Sequence, residues 1–202
     1  MMYEELRRLA TLRPVILGSA SPRRVTLLQE TGIEFTQVAP EIDESTRDLE
    51  DPRKYAVRLA EEKSGEVFGR ITTNAVVIGC DTIVVLANKI LGKPVTKADA
   101  FHTLMALSGQ SHTVVSALSL AADGIPLMSG YDTTEVRFHI LDNDRVWEYV
   151  ATGEPMDKAG AYGIQGMGTF LVDRIEGNLD TVIGLPRVLL NRLAGEVLLK
   201  IG

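Results

Sequence analysis

Four stretches of this chain carry residue types that could handle a polyphosphate. The first is Gly18-Ser19-Ala20-Ser21-Pro22-Arg23-Arg24, which follows the apolar run Val15-Ile16-Leu17. Small residues let a backbone approach a ligand, and the first amides of a helix carry partial positive charge that suits anions. Ser21-Pro22 reads as a helix start, a hydroxyl cap followed by proline at the first helical position. Two guanidinium groups add forked donors that match phosphate oxygens. Ser19, Ser21, Arg23 and Arg24 are therefore candidate phosphate ligands; the plainer reading is a capped helix with two solvated arginines. Neither common fingerprint is present. Gly92-Lys93 is followed by Pro94 rather than Ser or Thr, and no G-x-G-x-x-G follows an expected strand.

The second stretch, Val76 to Val85, sets Cys80-Asp81-Thr82 between two apolar β-rich runs. A carboxylate in such a context is costly unless a hydrogen bond, a cation or a metal meets it. Asp81 is thus either a tuned functional acid or a structural aspartate fixing a turn. The third set is the lysines and acids that could complete a site: Lys63 lies on the stripe Ala56, Leu59, Ala60, Val67, and Lys93 lies in Leu91-Gly92-Lys93-Pro94. Glu41, Asp43 and Glu44 form an acidic loop whose oxygens suit Mg²⁺. Taken singly, each of these charges is more often a solvated one.

The fourth stretch, Thr152 to Gly168, is dense in glycine, which permits close backbone approach and positive φ. Gln165 offers a carbonyl and an amide, the pair needed to match a uracil or thymine edge. A mobile hairpin is the competing reading, and composition alone favours it slightly. His102, His112 and His139 are not spaced as a ligand pair, which argues against a histidine metal site or a serine–histidine triad. Phe101 and Trp147 fall on helical apolar stripes and are expected in the core.

The elements that must position these groups alternate along the chain. Strands are expected at 15–17, 33–38, 75–79, 83–87, 112–122, 133–140 and 169–175. Helices are expected from Ser21-Pro22, Asp51-Pro52, Thr96, Asp142 and Pro186, with a polar loop over 39–51. Asp123-Gly124 reads as a hairpin turn, so a mixed sheet flanked by helices fits better than a parallel one. The chain has 202 residues, 45% hydrophobic and 24% charged, as in a globular α/β domain. A net charge of −6 argues against a duplex nucleic-acid binder. The one cysteine, Cys80, excludes an intramolecular disulfide and a cysteine zinc site, and is compatible with a reducing cytoplasm. Residues 1–14 lack the apolar core of a signal peptide, and no apolar run reaches spanning length, so a soluble protein with no membrane partner is expected.

Together these stretches resemble the Maf family of nucleotide pyrophosphatases. The matching segments are SASPRR at 19–24, GCDTIVV at 79–85, LGKP at 91–94, LSGQSH at 107–112, TGEPMDKAGAYGIQG at 152–166 and IGLP at 183–186, in family order. The resemblance implies two lobes around a central cleft, an N-terminal extension over 1–13 and the family domain over 14–202. It also implies divalent-metal-dependent hydrolysis of a nucleoside triphosphate between the α- and β-phosphates. By position Asp81 matches the family's acid/base, and Arg23, Thr82 and Gln165 match positions tied to substrate choice. DKAGAYGIQG looks like the branch acting on dTTP and UTP.

The mechanism expected on this basis has Ser19, Ser21, Arg23 and Arg24 hold the triphosphate while Lys63 and Lys93 neutralise developing charge. Glu44 and Asp81 hold Mg²⁺ or Mn²⁺, and Thr82 and Gln165 read the base. Whether Asp81 serves as base or as metal ligand stays open at this level. The alternatives are a house-cleaning pyrophosphatase for modified or non-canonical nucleotides, and a nucleotide-binding cell-division regulator without turnover. A cytoplasmic setting and a homodimer rest on the resemblance alone.

Overall fold

The computed structural model describes residues 2–47 and 50–201. Positions 48 and 49 of the expected loop 39–51, and the outermost residues of the expected segments 1–13 and 14–202, lie outside the described residues. The element order is α1 (Glu4–Leu12), β1 (Val15–Gly18), α2 (Pro22–Gln29), β2 (Thr36–Val38), α3 (Pro52–Arg70), β3 (Val76–Leu86), β4 (Lys89–Leu91), α4 (Lys97–Leu107), β5 (Ser111–Ala122), β6 (Ile125–Phe138), α5 (Asn143–Ala151), β7 (Val172–Glu176), α6 (Leu179–Ile183) and α7 (Arg187–Ile201). Three short 3₁₀ turns, Glu154–Asp157, Ala159–Ala161 and Gly166–Leu171, fill the glycine-rich stretch.

The strands form a seven-stranded mixed sheet of order β2-β1-β3-β5-β6-β7, with β4 paired to β3. β1 runs parallel to both β2 and β3, as helical crossovers require. β4 runs antiparallel to β3, and β7 antiparallel to β6. The mixed sheet with flanking helices is therefore as the turn signals indicate.

Several elements differ from the expected ones. The strand expected over 33–38 shrinks to Thr36–Val38, and that expected over 133–140 starts eight residues earlier, at Ile125. The run 169–175 is divided between a 3₁₀ turn and β7. Cys80-Asp81-Thr82 does not separate two strands: Val76 to Leu86 is one continuous strand. Trp147 is no core residue. It is 44% exposed and stacks on Phe101 with centroids 4.4 Å apart.

The chain folds as two compact units. One comprises Met1–Asp81, Ser116–Asp132 and Gly184–Gly202; within it Ile16, Val67, Ala75, Val77 and Ala121 form an apolar cluster. Here α1 buries Leu6 and Leu9, packs against α7 and donates the Leu6 amide to Asn191 Oδ1 at 3.1 Å. The other comprises Thr82–Val115 and Thr133–Ile183, and its core gathers Leu104, Leu107, Phe138, Tyr149, Tyr162 and Leu171. No helix among the described residues is long and apolar enough to cross a membrane.

Candidate active site

The first unit brings α3 onto β3 at a glycine. A Cβ on Gly79 would sit 2.1 Å from the Ala60 carbonyl oxygen and 2.6 Å from the Ser64 amide, so only glycine admits this approach. One helical turn from Ala60, and two residues along the strand from Gly79, Lys63 meets Asp81. The Lys63 Nζ lies 2.7 Å from Asp81 Oδ1 and 2.7 Å from Glu44 Oε1. Lys63 and Asp81 are both buried, whereas the Glu44 side chain is half exposed. Asp81 Oδ2 is also buried and has no hydrogen-bond partner. A turn-fixing aspartate would have both oxygens engaged by the backbone; a mid-strand carboxylate with an open oxygen is a different object.

Two residues that sequence reasoning missed hold the acidic loop against α3. Arg58 grips Glu50 with Nε and Nη2, both at 2.7 Å, and donates Nη2 to the Ser45 carbonyl at 3.2 Å. Its hydrogen bonds hold the Glu50 carboxyl below the usual range. Tyr55 donates its hydroxyl to the Glu44 carbonyl at 2.7 Å; burial, then the charges of Asp81 and Glu44, push its pKa up and keep that proton in place. The i, i+4 pair Arg58–Glu62 was visible in sequence, but the grip on Glu50 was not. A pocket of about 450 Å³ opens over α3 beside Asp51, Arg53, Lys54, Val57, Arg58, Glu61 and Tyr131, and its lining includes none of the expected site residues.

The small-residue loop meets the same strand. Arg24 donates Nη1 to Ser19 Oγ at 3.0 Å and to the Cys80 carbonyl at 3.1 Å, and Nε to the Gly184 carbonyl at 2.9 Å. The helix mouth and the residue before Asp81 are thus physically joined. Ser19 Oγ also accepts the Ser21 amide at 3.2 Å, which leaves its own proton to donate. Pro22 stands in the first turn of α2 as expected, but Ser21 makes no side-chain cap hydrogen bond. The hydroxyl cap read from the sequence is therefore absent; Ser21 is held by its backbone, the amide donating to Ser19 Oγ and the carbonyl accepting the Val25 amide. Arg23 is half-buried at the same helix start.

In the second unit Thr82 is half-buried, Lys93 is exposed after β4, and Gln165 is exposed at the start of the last 3₁₀ turn. The Gly160 amide donates to the Gly92 carbonyl at 3.1 Å, which joins the glycine-rich stretch to the segment bearing Lys93. That stretch is no hairpin. It is folded as successive 3₁₀ turns braced by side chains, a property that glycine content cannot reveal. His112 is buried beneath it, with Nε2 hydrogen-bonded to Tyr162 Oη at 2.9 Å and edge contacts to Phe138 and Tyr162. Burial lowers its pKa to about 4. Desolvation likewise pushes the Cys80 thiol up to about 11, so it is no nucleophile at neutral pH.

Among the described residues no group of three or more His, Cys, Asp or Glu could hold a metal by itself. Glu44 and the open oxygen of Asp81 nevertheless fit a hard ion that takes one or two carboxylates and completes its shell with phosphate and water oxygens.

The profile described as Maf-like protein matches residues 14–197. A dTTP/UTP pyrophosphatase of Shewanella oneidensis is 47% identical over 189 residues, covering 90% of this chain and 97% of the relative. A dTTP/UTP pyrophosphatase of Thermococcus kodakarensis is 44% identical over 172 residues, covering 85% and 90%. One from Aquifex aeolicus is 44% identical over 188 residues, covering 93% and 97%.

Proposed function

We infer the chemistry of this chain from one premise: it belongs to the family of Maf-like proteins. It is a nucleoside triphosphate pyrophosphatase, a hydrolase that cuts dTTP and UTP to the monophosphate and pyrophosphate. The observation that carries the reading is the Lys63 ammonium held between Asp81 and Glu44, on a strand tied by Arg24 to the Ser19 loop. Relatives described as dTTP/UTP pyrophosphatases, 44–47% identical over most of the chain, support the choice of substrate.

In this mechanism the α2 amides, Ser19, Ser21, Arg23 and Arg24 receive the triphosphate, with Arg24 also bracing the loop. Asp81 turns Oδ2 toward a water and takes its proton as the water oxygen bonds the α-phosphorus. The bond from the α-phosphorus to the bridging oxygen breaks, and pyrophosphate departs. Lys63 and Lys93 offset the negative charge that grows on the phosphoryl and leaving oxygens. Glu44 would hold Mg²⁺ or Mn²⁺ with the phosphates, joined by Asp81 in the alternative in which Oδ2 meets the ion rather than the water; when bound, such an ion neutralises phosphate charge. Gln165 accepts from N3–H and donates to O4 of uracil or thymine, and Thr82 assists. Cytosine presents the reverse pattern and strands both groups as long as the Gln165 amide keeps that orientation.

Residues 14–202 are the catalytic domain in this reading, and 1–13 are an extension that steadies α7. The reading also sets the protein in the cytoplasm, with a nucleotide rather than a nucleic acid as its ligand. The test is product analysis across the canonical triphosphates with Mg²⁺ or Mn²⁺. Pyrophosphate released from UTP and dTTP ahead of CTP, ATP and GTP is expected. Orthophosphate as the product, or no preference among bases, overturns the assignment.

A further inference from the structure

We propose that Tyr149 and Glu154 are specificity-positioning residues, which hold the backbone on both sides of Gln165 so that it meets a base in one preset geometry. The Tyr149 hydroxyl donates to Glu154 Oε1 at 3.0 Å and accepts the Gly163 amide at 3.1 Å. Glu154 in turn accepts the Met167 amide on Oε2 at 3.1 Å and the Gly168 amide on Oε1 at 3.3 Å. Gln165 therefore sits between an anchored Gly163 and an anchored Met167-Gly168. The bracket is narrow. A Cβ on Gly168 would lie 2.4 Å from the Gly163 carbonyl oxygen and 2.8 Å from Tyr149 Oη.

The chemistry of the brace explains its rigidity. The Glu154 carboxylate occupies amides at the start of a 3₁₀ turn, where an anion is favoured, and charge-assisted bonds are roughly twice as strong as neutral ones. Tyr149 is buried, and burial raises its pKa well above the ordinary phenol value, so its proton remains to be donated. Glu154 itself is fixed from behind, its amide bonded to Thr152 Oγ1 at 3.1 Å. Neither side chain has a task in the phosphoryl chemistry above, and their expected effect is on base choice alone.

This inference rests on the reading of Gln165 as the base-contacting residue, and the experiment separates the two. The ratio of kcat/KM for UTP over CTP is measured for wild type, Gln165→Ala, Tyr149→Phe, Glu154→Gln and the double variant Tyr149→Phe/Gln165→Ala, with pyrophosphate inhibition as a measure of phosphate handling. The ratio is expected to fall about ten-fold or more in Gln165→Ala and about ten-fold in each brace variant, through KM for UTP. Pyrophosphate inhibition should hold steady, and the double variant should lose no more selectivity than Gln165→Ala. If Gln165→Ala lowers the ratio while Tyr149→Phe and Glu154→Gln leave it unchanged, losing activity on UTP and CTP alike, the brace is merely structural and the inference falls. If Gln165→Ala itself leaves the ratio unchanged, the base-reading role falls first and takes this inference with it.

Discussion

Asp81 and Glu154 are two carboxylates in two units of one chain, treated in opposite ways. Glu154 is satisfied on both oxygens by a phenol and two backbone amides. Asp81 is buried more deeply, yet only Oδ1 is met, by a lysine that Glu44 shares, and Oδ2 has no hydrogen bond. A buried polar atom without a partner costs roughly 1–3 kcal/mol; His112 Nδ1 bears such a cost too, but Asp81 Oδ2 lies on a carboxylate that shares a lysine with Glu44, where an open oxygen has something to do. Glu154 spends its charge on holding a shape; Asp81 keeps part of its own in reserve. The contrast separates a structural carboxylate from a reactive one more clearly than burial does.

The largest expected effect is on the reactive side. Asp81→Asn should lower turnover by about 10³-fold while the protein stays folded, since a neutral amide can neither take the proton nor orient the water as well. Steady-state rates with UTP check this, and a rate near wild type would remove Asp81 from the mechanism. Next comes Lys63→Met, which strands a buried carboxylate and should cost about 3–5 kcal/mol in a denaturation curve. Adding Asp81→Asn to it should recover a good part of that loss; if the two costs simply add, the pair is not coupled as described.

On the neutral side, His112 gives a pH signature. Its folded pKa of about 4 lies below the unfolded value near 6.5, so the unfolded chain binds the extra proton first as pH falls. Stability should therefore be intact above about pH 6.5 and decline by about 3 kcal/mol as pH falls through 4. His112→Gln should flatten that part of the stability–pH curve, and an unchanged slope would show that another group is responsible. Smaller still, Gly79→Ala forces a methyl into the α3 backbone and should cost about 1–3 kcal/mol along with activity. Gly65→Ala, on the same helix with open space around it, should instead stabilise by about 0.5–1 kcal/mol. A thermal melt of the two variants compares them directly.

Much of the fold was legible because its signals are local. Asp51 and Asp142 accept the expected amides at their helix starts, Thr96 and Asp99 close a capping box, and the 123–124 turn joins two strands as read. Where local pattern failed, a distant partner was the cause. The polar triplet around Asp81 looked like a break because nothing nearby in sequence neutralises an acid; Lys63, eighteen positions away, does so. The glycine-rich stretch looked loose because its stiffness comes from Tyr149 and Glu154 folding back on amides 13 or 14 positions further on, and from His112 on β5, 50 positions before Tyr162. Arg24 looked like a free phosphate ligand, whereas it donates three hydrogen bonds to protein oxygens up to 160 positions away.

By itself the sequence determined most of the helices and strands, the family, and the set of residue types from which a phosphate-handling site is built. It did so because caps, turns and apolar periodicity are written within a few residues of one another. The tertiary structure alone decided which lysine answers which carboxylate, which carboxylate oxygen is left open, and what holds a glycine-rich loop still. Those outcomes depend on a helix backbone pressing against a strand where Gly79 has no side chain, and on hydrogen bonds between residues that only folding brings within 3 Å.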